Sequence, residues 1–224
     1  SKHIEIVKST INSADVIIFP ELSLSGYRLM DGVFDMCFTL DEIEEIKILS
    51  KDIAVILGVA LRIENKIYNS AVTFHNGEIL HVHKKNILPN YTMFEEARYY
   101  FSGEDVKCFE LYGKKCVTII CEDAWSSKIE YDISLLNPEI IFIISNSPAR
   151  GFNDELQIRK QWRSILSSMA IKEGCFVVFV NRCGFEDGMG FWGGSAIANP
   201  EGEFIIELEL FKDDFSICNI DKNV

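Results

Sequence analysis

Five continuous apolar runs of strand length, rich in Val and Ile, occur along the chain at residues 16–20, 53–61, 116–121, 140–145 and 175–181. A run without polar alternation belongs to a strand covered on both faces, so these predict the buried strands of core sheets. Between them, residues 41–50 and 154–173 place apolar side chains three and four apart with polar ones opposite. That is the period of an amphipathic helix lying on a sheet face. Alternation of the two patterns predicts an α/β architecture.

Two places carry a different signal. Residues 67–74 and 78–82 flank His75-Asn76-Gly77, and Asn-Gly between alternating strands marks a tight hairpin because both turn positions favour positive φ. Residues 192–198 and 203–208 flank Asn199-Pro200-Glu201-Gly202, where Pro presets one turn dihedral and Gly supplies another. Hairpins at two places require mixed sheets and argue against a plain doubly wound parallel fold. No repeat, low-complexity stretch or linker divides the sequence, so residues 1–224 are expected to form one domain.

Charge and composition narrow the partners. The 224 residues include 22 Lys and Arg against 34 Asp and Glu, a formal net charge of −12. Clustered cations are what bind phosphate backbones and anionic lipid, so neither nucleic acid nor a membrane surface is an expected partner. No stretch approaches the roughly 18 apolar residues of a spanning helix. Seven cysteines, an odd number, sit partly inside apolar runs. They read as buried small hydrophobes rather than a disulfide framework, which predicts a reducing, cytoplasmic setting. The histidines are His3, His75, His81 and His83, with no Cys-x-x-Cys or His-Glu-x-x-His spacing. A structural zinc site has no support. No secretory signal peptide is visible, and because the chain begins at Ser1 rather than Met its N-terminus does not report on targeting.

Cys121 ends the run Val117-Thr118-Ile119-Ile120-Cys121 and is followed by Glu122-Asp123-Ala124-Trp125, which cannot continue a buried strand. A thiol at a strand end is presented to a cleft, with the following N–H groups near enough to stabilise an oxyanion. A core cysteine whose strand simply stops gives the same pattern. The histidines offer no convincing base: His75 lies at a hairpin turn, and His81 and His83 share one face of a hairpin strand. A carboxylate raised by burial can serve instead, with an ammonium to hold the developing charge. Glu21, directly after Val16-Ile17-Ile18-Phe19-Pro20, also stands at a strand end. Lys85 lies in His83-Lys84-Lys85-Asn86-Ile87-Leu88-Pro89, just past the hairpin. A loop acid and a solvated lysine pair are the plainer readings of these two, and no spacing rule brings the three groups together.

Taken as a set, these segments resemble the nitrilase superfamily of carbon–nitrogen hydrolases, whose sites join a glutamate, a lysine and a cysteine. The matching stretches are Phe19-Pro20-Glu21-Leu22-Ser23-Leu24-Ser25-Gly26-Tyr27, Lys85-Asn86-Ile87-Leu88-Pro89-Asn90-Tyr91 and Cys121-Glu122-Asp123-Ala124-Trp125. Phe94-Glu95-Glu96-Ala97-Arg98 with Ser102-Gly103 matches the segment of the family's supporting glutamate and puts it on Glu96 rather than Glu95. Ser145-Asn146-Ser147-Pro148 and the stretch from Val180-Asn181-Arg182 to Phe191-Trp192-Gly193-Gly194-Ser195 match as well. Within the superfamily the motifs are most similar to the glutamine-hydrolysing domain of glutamine-dependent NAD synthetases and its free-standing relatives. Two departures stand out: residues 2–12 already read as the first helix, without the family's opening strand, and the chain ends short of the family's C-terminal tail.

The resemblance implies a four-layer αββα sandwich of two mixed sheets. It implies an amidase in which Cys121 attacks a small linear amide, Glu21 is general base and then acid, and Lys85 with the Glu122 backbone N–H holds the oxyanion. Water then cleaves the thioester and no cofactor takes part. Glu96 would support Lys85 or Glu21. Tyr91, Phe94 and Ser147 match pocket positions, Trp125 walls the pocket or packs, and Trp192 packs. Arg150 holds a substrate carboxylate or a surface ion pair. A homodimer is the expected assembly. An N-carbamoyl amine hydrolase, an ammonia-donating glutaminase subunit and a catalytically silent binding module of the same fold remain open. A redox thiol is disfavoured because Cys116 falls on the opposite strand face from Cys121.

Overall fold

The computed structural model describes residues 2–149 and 156–220. The elements run α1 (Lys2–Thr10), β1 (Val16–Ile18), α2 (Val33–Met36), α3 (Glu44–Leu49), β2 (Ala54–Ile63), β3 (Lys66–His75), β4 (Glu78–Lys84) and α4 (Glu96–Tyr99). They continue with β5 (Cys108–Leu111), β6 (Lys114–Ile120), α5 (Ser127–Leu136), β7 (Ile140–Ser145), α6 (Gln157–Glu173), β8 (Phe176–Asn181), β9 (Cys183–Glu186), β10 (Met189–Trp192), β11 (Ala196–Ala198) and β12 (Phe204–Glu207). One sheet has the order β1-β2-β3-β4 and the other β12-β11-β8-β7-β6-β5. Both are mixed: β1 runs parallel to β2, and β6, β7 and β8 run parallel, while the hairpins and outer strands are antiparallel.

The apolar runs become strands because both their faces are covered. On β2, Ala54 and Ile56 point between the sheets with Ala71, against Cys116, Ile120, Phe142, Ile144 and Val178 of the facing sheet. The alternate residues Val55, Leu57 and Val59 point outward onto α1 and α3 through Val7 and Ile46. On the other sheet, Val117, Ile119, Ile141, Ile143, Val177 and Phe179 face α5 and α6, meeting Ile129, Ile133, Trp162, Leu166 and Met169. This is the expected four-layer αββα sandwich. Period-2 alternation feeds two apolar layers from each strand, which is why the runs lack regular polar alternation.

Two expectations need correction. Residues 41–50 are not one helix: a 3-10 turn over Asp41–Ile43 precedes the short α3. Residues 192–198 are not one strand. Trp192 closes the separate β9–β10 hairpin, and β11 starts only at Ala196, because Gly193 and Gly194 take φ of +67° and +62° and turn the chain out of the ladder. The first hairpin forms as expected, with Asn76 and Gly77 both at positive φ. The predicted helix over 154–173 is α6; its first two positions and Arg150 lie outside the described residues.

Gly58 sets the distance between β2 and the segment that follows β1. A Cβ there would meet the Pro20 carbonyl and lie 2.6 Å from the Leu22 nitrogen and 2.8 Å from the Glu21 carbonyl carbon. Gly58→Ala is expected to cost about 1–3 kcal/mol in urea unfolding by overpacking, and to lower turnover more than an alanine on the outer surface does, because it displaces Glu21.

Candidate active site

The C-terminal ends of β1, β4 and β6 converge at one end of the sandwich. Glu21 stands just beyond β1 and is fully buried. Its position is fixed by its own backbone, since Leu22 takes φ +50° and the Glu21 carbonyl accepts from Asn146 Nδ2 at 2.6 Å. Lys85 follows β4 directly and is 1% exposed. Its backbone N–H donates to the Asn69 carbonyl, and Gly103 lets another segment lie against it, its own N–H donating to the Lys85 carbonyl. Cys121 follows β6 at φ +45° and opens the 3-10 turn Cys121–Trp125.

The Lys85 ammonium lies between two carboxylates, donating to Glu21 Oε1 at 2.7 Å and to Glu96 Oε1 at 2.8 Å. Asn69 Nδ2 also donates to Glu21 Oε1 at 2.7 Å, and the Asn146 N–H to Glu21 Oε2 at 2.7 Å. Tyr27 donates its hydroxyl to Glu96 Oε1 at 3.0 Å. The Cys121 sulfur accepts from Ser145 Oγ at 3.3 Å. Glu96 is buried in this cluster and Glu95 is exposed, so the structure places the second of the acidic pair beside Lys85.

Burial acts on Lys85, Cys121, Glu96 and Tyr27. It drives the Lys85 pKa down, but the Glu21 and Glu96 charges outweigh it and hold the ammonium well above its usual value. Burial and the charge of Glu21 push the Cys121 thiol well up, against the opposing pull of Lys85 and Ser145. The resting sulfur is therefore a neutral thiol with a carboxylate in electrostatic reach. Burial raises Glu96 to about 7, with Lys85 opposing and Glu21 adding to the rise. Glu96 Oε2 is buried without a hydrogen-bond partner among the described residues, which suits a protonated carboxyl. Tyr27, buried beside Glu96, is raised as well.

A second, structural cluster joins the lysine and cysteine segments. Asp123 is fully buried; its Oδ1 accepts from the Asn86 and Ile87 N–H groups at 3.0 and 2.8 Å, and its Oδ2 from the Ile120 N–H at 3.1 Å. His83 Nε2 lies 2.9 Å from the same Oδ2. One carboxylate thus ties the turn after β6 to the chain after β4, and the histidine is a satisfied buried partner rather than a free base.

The remaining candidates range from exposed to buried. Tyr91 is 45% exposed, donates its hydroxyl to the Glu122 carboxylate at 3.0 Å and meets Phe94 edge-on, with ring centroids 5.4 Å apart. Trp125 is partly exposed and packs edge-on against Trp162. Ser147 is buried, accepting from Trp162 Nε1 at 3.0 Å, while its N–H donates to Asn181 Oδ1 at 2.9 Å. Trp192 packs in the core against Phe179. A cleft of about 360 Å³ opens beside Glu96, lined by Tyr27, Arg28, Phe94, Tyr99 and Tyr100 among others. The sequence does not single out Asn69, Asn146, Asp123, Tyr27 or Ser145 as members of the site. Only the last four carry a signal there, lying inside the matched segments. Among the described residues, no group of three or more His, Cys, Asp or Glu is placed to hold a metal ion, and no helix is long and apolar enough to cross a membrane.

The family model for carbon–nitrogen hydrolases matches residues 1–224. The chain is 31% identical to the glutamine-dependent NAD(+) synthetase of Aquifex aeolicus over 98% of its own length and 39% of that protein's. Among solved structures, the glutamine-dependent NAD+ synthetase of Acinetobacter baumannii superposes with a TM-score of 0.81 at 32% identity, over 95% of this chain and 40% of that one. A nitrilase-superfamily amidase from Nesterenkonia, solved as a cysteine-to-alanine mutant, gives 0.78 at 18% identity over 93% of this chain and 81% of that one, a likeness of fold. The chain spans about two fifths of the length of the NAD synthetases it matches.

The raised Glu96 pKa has a measurable sign. The folded chain keeps this proton up to about pH 7, whereas the unfolded chain releases it near 4.5. Its contribution to stability is complete below pH 4.5 and is lost as pH rises through 7. Urea unfolding at pH 5 and pH 8 should show the wild type losing about 1–3 kcal/mol more than Glu96→Gln over that interval.

Proposed function

Because the chain belongs to the carbon–nitrogen hydrolase family, we propose that it hydrolyses a small linear amide through a thioester on Cys121. The observation that carries this reading is the Glu21–Lys85–Glu96 ladder standing beside a neutral thiol at a strand end. Each carboxylate oxygen has about two acceptor positions. Those of Glu21 Oε1 are taken by Lys85 and Asn69, while Oε2 holds the Asn146 N–H alone among the described residues. Oε2 therefore has room for the thiol proton.

In the first half-reaction the sulfur attacks the amide carbonyl as its proton passes to Glu21. The carbonyl electron pair moves to oxygen, where the Lys85 ammonium and the N–H of Glu122 offset the charge. Collapse expels the amine, which takes the proton from Glu21, and leaves the thioester. In the second half-reaction Glu21 takes a proton from water as the water attacks, and the acid departs as the sulfur regains its proton. Glu96, half protonated near pH 7, and Tyr27 hold Lys85 in place. In this reading Phe94, Tyr91 and Trp125 serve as pocket walls, and Ser147 supports Trp125 through Trp162.

Similarity to the NAD synthetases favours an ω-amide such as the glutamine side chain, with the ammonia released to solvent or to a partner enzyme. Ammonia release from glutamine, asparagine, other ω-amides, carbamoyl amines and a nitrile tests the reading, with Cys121→Ala as control. The expected result is release from an ω-amide that falls to background in Cys121→Ala while its circular dichroism is unchanged, and by about 10²–10⁴-fold in Glu21→Gln. Turnover retained without the Cys121 thiol would overturn it.

Assembly as a homodimer belongs to the same reading. It is supported by α5, which exposes Tyr131 and Leu135 one turn apart, and by Ile171 exposed on the neighbouring α6. Light scattering is expected to give twice the monomer mass of 25.5 kDa; a monomeric mass removes it.

A further inference from the structure

Ser145 is a fully buried hydroxyl that the hydrolytic scheme above does not use. The register of the parallel pair β6–β7 explains its position. Ile119 pairs with Ile143 and Ile120 with Ile144, so the next step sets Ser145, the last residue of β7, against Cys121. The backbone of Ser145 is held on its other side by pairing with Asn181, and its carbonyl accepts the Arg182 N–H at 3.1 Å. With the main chain fixed on both flanks, Ser145 Oγ lies 3.3 Å from Cys121 Sγ, within donor range for sulfur.

We propose that Ser145 is a further catalytic residue: its hydroxyl donates to the nucleophilic sulfur, leaves the thiol proton to Glu21, and stabilises the sulfur as negative charge develops on it. A thiol has one proton and weak acceptor capacity. Once Ser145 occupies the acceptor side, the S–H bond is left to point elsewhere, and the carboxylate that acts most strongly on this sulfur is Glu21, whose Oε2 has one donor among the described residues. During attack the thiol proton goes to Glu21, the sulfur–carbon bond forms and the carbonyl electron pair moves to oxygen. Ser145 keeps its own proton throughout. Its hydrogen bond gains strength as the sulfur gains charge, because a donor to an anionic acceptor is about twice as strong as one to a neutral acceptor. The effect is therefore larger in the transition state than in the resting enzyme, which is the condition for raising a rate.

The proposal rests on Cys121 being the nucleophile, but its test needs no substrate. The pH dependence of Cys121 alkylation by iodoacetamide is read on the full chain, by mass spectrometry of the Cys121 peptide so that the other thiols do not contribute. Ser145→Ala is expected to slow alkylation at neutral pH about tenfold and to move its pH profile up by about one unit. Since an alanine here could disturb folding, Ser145→Thr and Ser145→Val form a second pair of nearly equal shape that differs by the hydroxyl. Thr is expected to keep the wild-type profile and Val to show the shift. Equal profiles for Thr and Val, or for Ser and Ala, overturn the proposal. The two readings fail separately. A wild type that turns over no amide yet shows the shift defeats the hydrolase reading alone, whereas Cys121-dependent turnover with an unmoved profile defeats the role of Ser145 alone.

Discussion

The site depends on one buried ammonium. Lys85 is the one cation that meets Glu21 and Glu96 among the described residues, and all three side chains are withdrawn from water. Two bare carboxylates could not share this space, since each would raise the other toward neutrality. Lys85 resolves the conflict unequally. Among the described residues Glu21 receives Lys85, Asn69 and Asn146, whereas Glu96 receives Lys85 and Tyr27 on one oxygen and none on the other. The unequal hydrogen bonding distinguishes two carboxylates of similar burial, one well supplied with donors and the other raised to about 7. Such a cluster is a poor way to stabilise a fold, because apolar residues of the same volume commonly do as well or better. Its chemistry is the reason that accounts for it.

The sandwich supplies what this cluster requires, a place where several chain segments meet without being covered by the next strand. β1 and β6 end on their respective sheets just before Glu21 and Cys121, β4 ends just before Lys85, and β7 ends at Ser145. Each polar group therefore leaves its strand where the ladder stops, and the apolar layer between the sheets forms the floor beneath them. Asp123 then fixes the spacing of two of these ends by taking backbone N–H groups from both. Gly58 and Gly103 do the same by omission, since each leaves room for the backbone of a functional segment to pass.

Much of this is legible in the sequence, and the division follows the range of each interaction. Buried strands reveal themselves through local period, and Asn76-Gly77 through turn chemistry, so the five apolar runs and the first hairpin are found where expected. The second hairpin misleads because the apolar pattern runs on through Gly193 and Gly194, while the backbone turns there at positive φ. In the site, Glu21, Lys85, Glu96 and Cys121 are reached through matching segments and not through spacing. Asn69 has no such aid. It sits inside an apolar strand, and its partner Glu21 is 48 positions away. Asn146 reaches Glu21 across 125 positions. Contacts of that range are made by sheet packing, and no local pattern encodes them. His83 is the converse case: a satisfied histidine is the plainer reading, and its bond to Asp123 fits it.

The protonation states set the order of events. A thiolate nucleophile at rest would need Lys85 to favour the sulfur anion over Glu21, but Lys85 is already committed to two carboxylates at 2.7 and 2.8 Å. Burial and the Glu21 charge therefore prevail, and the thiol keeps its proton until an electrophile arrives. Proton transfer to Glu21 neutralises that carboxylate and puts the charge on a buried sulfur, so the transfer accompanies carbon–sulfur bond formation, which passes the charge on to the carbonyl oxygen. Coupling also protects the thiol, since a neutral sulfur reacts slowly with oxidants and stray electrophiles that lack a carbonyl to accept the displaced electrons. The same burial that raises the cost of ionising Cys121 makes its reactivity depend on a substrate positioned against Lys85.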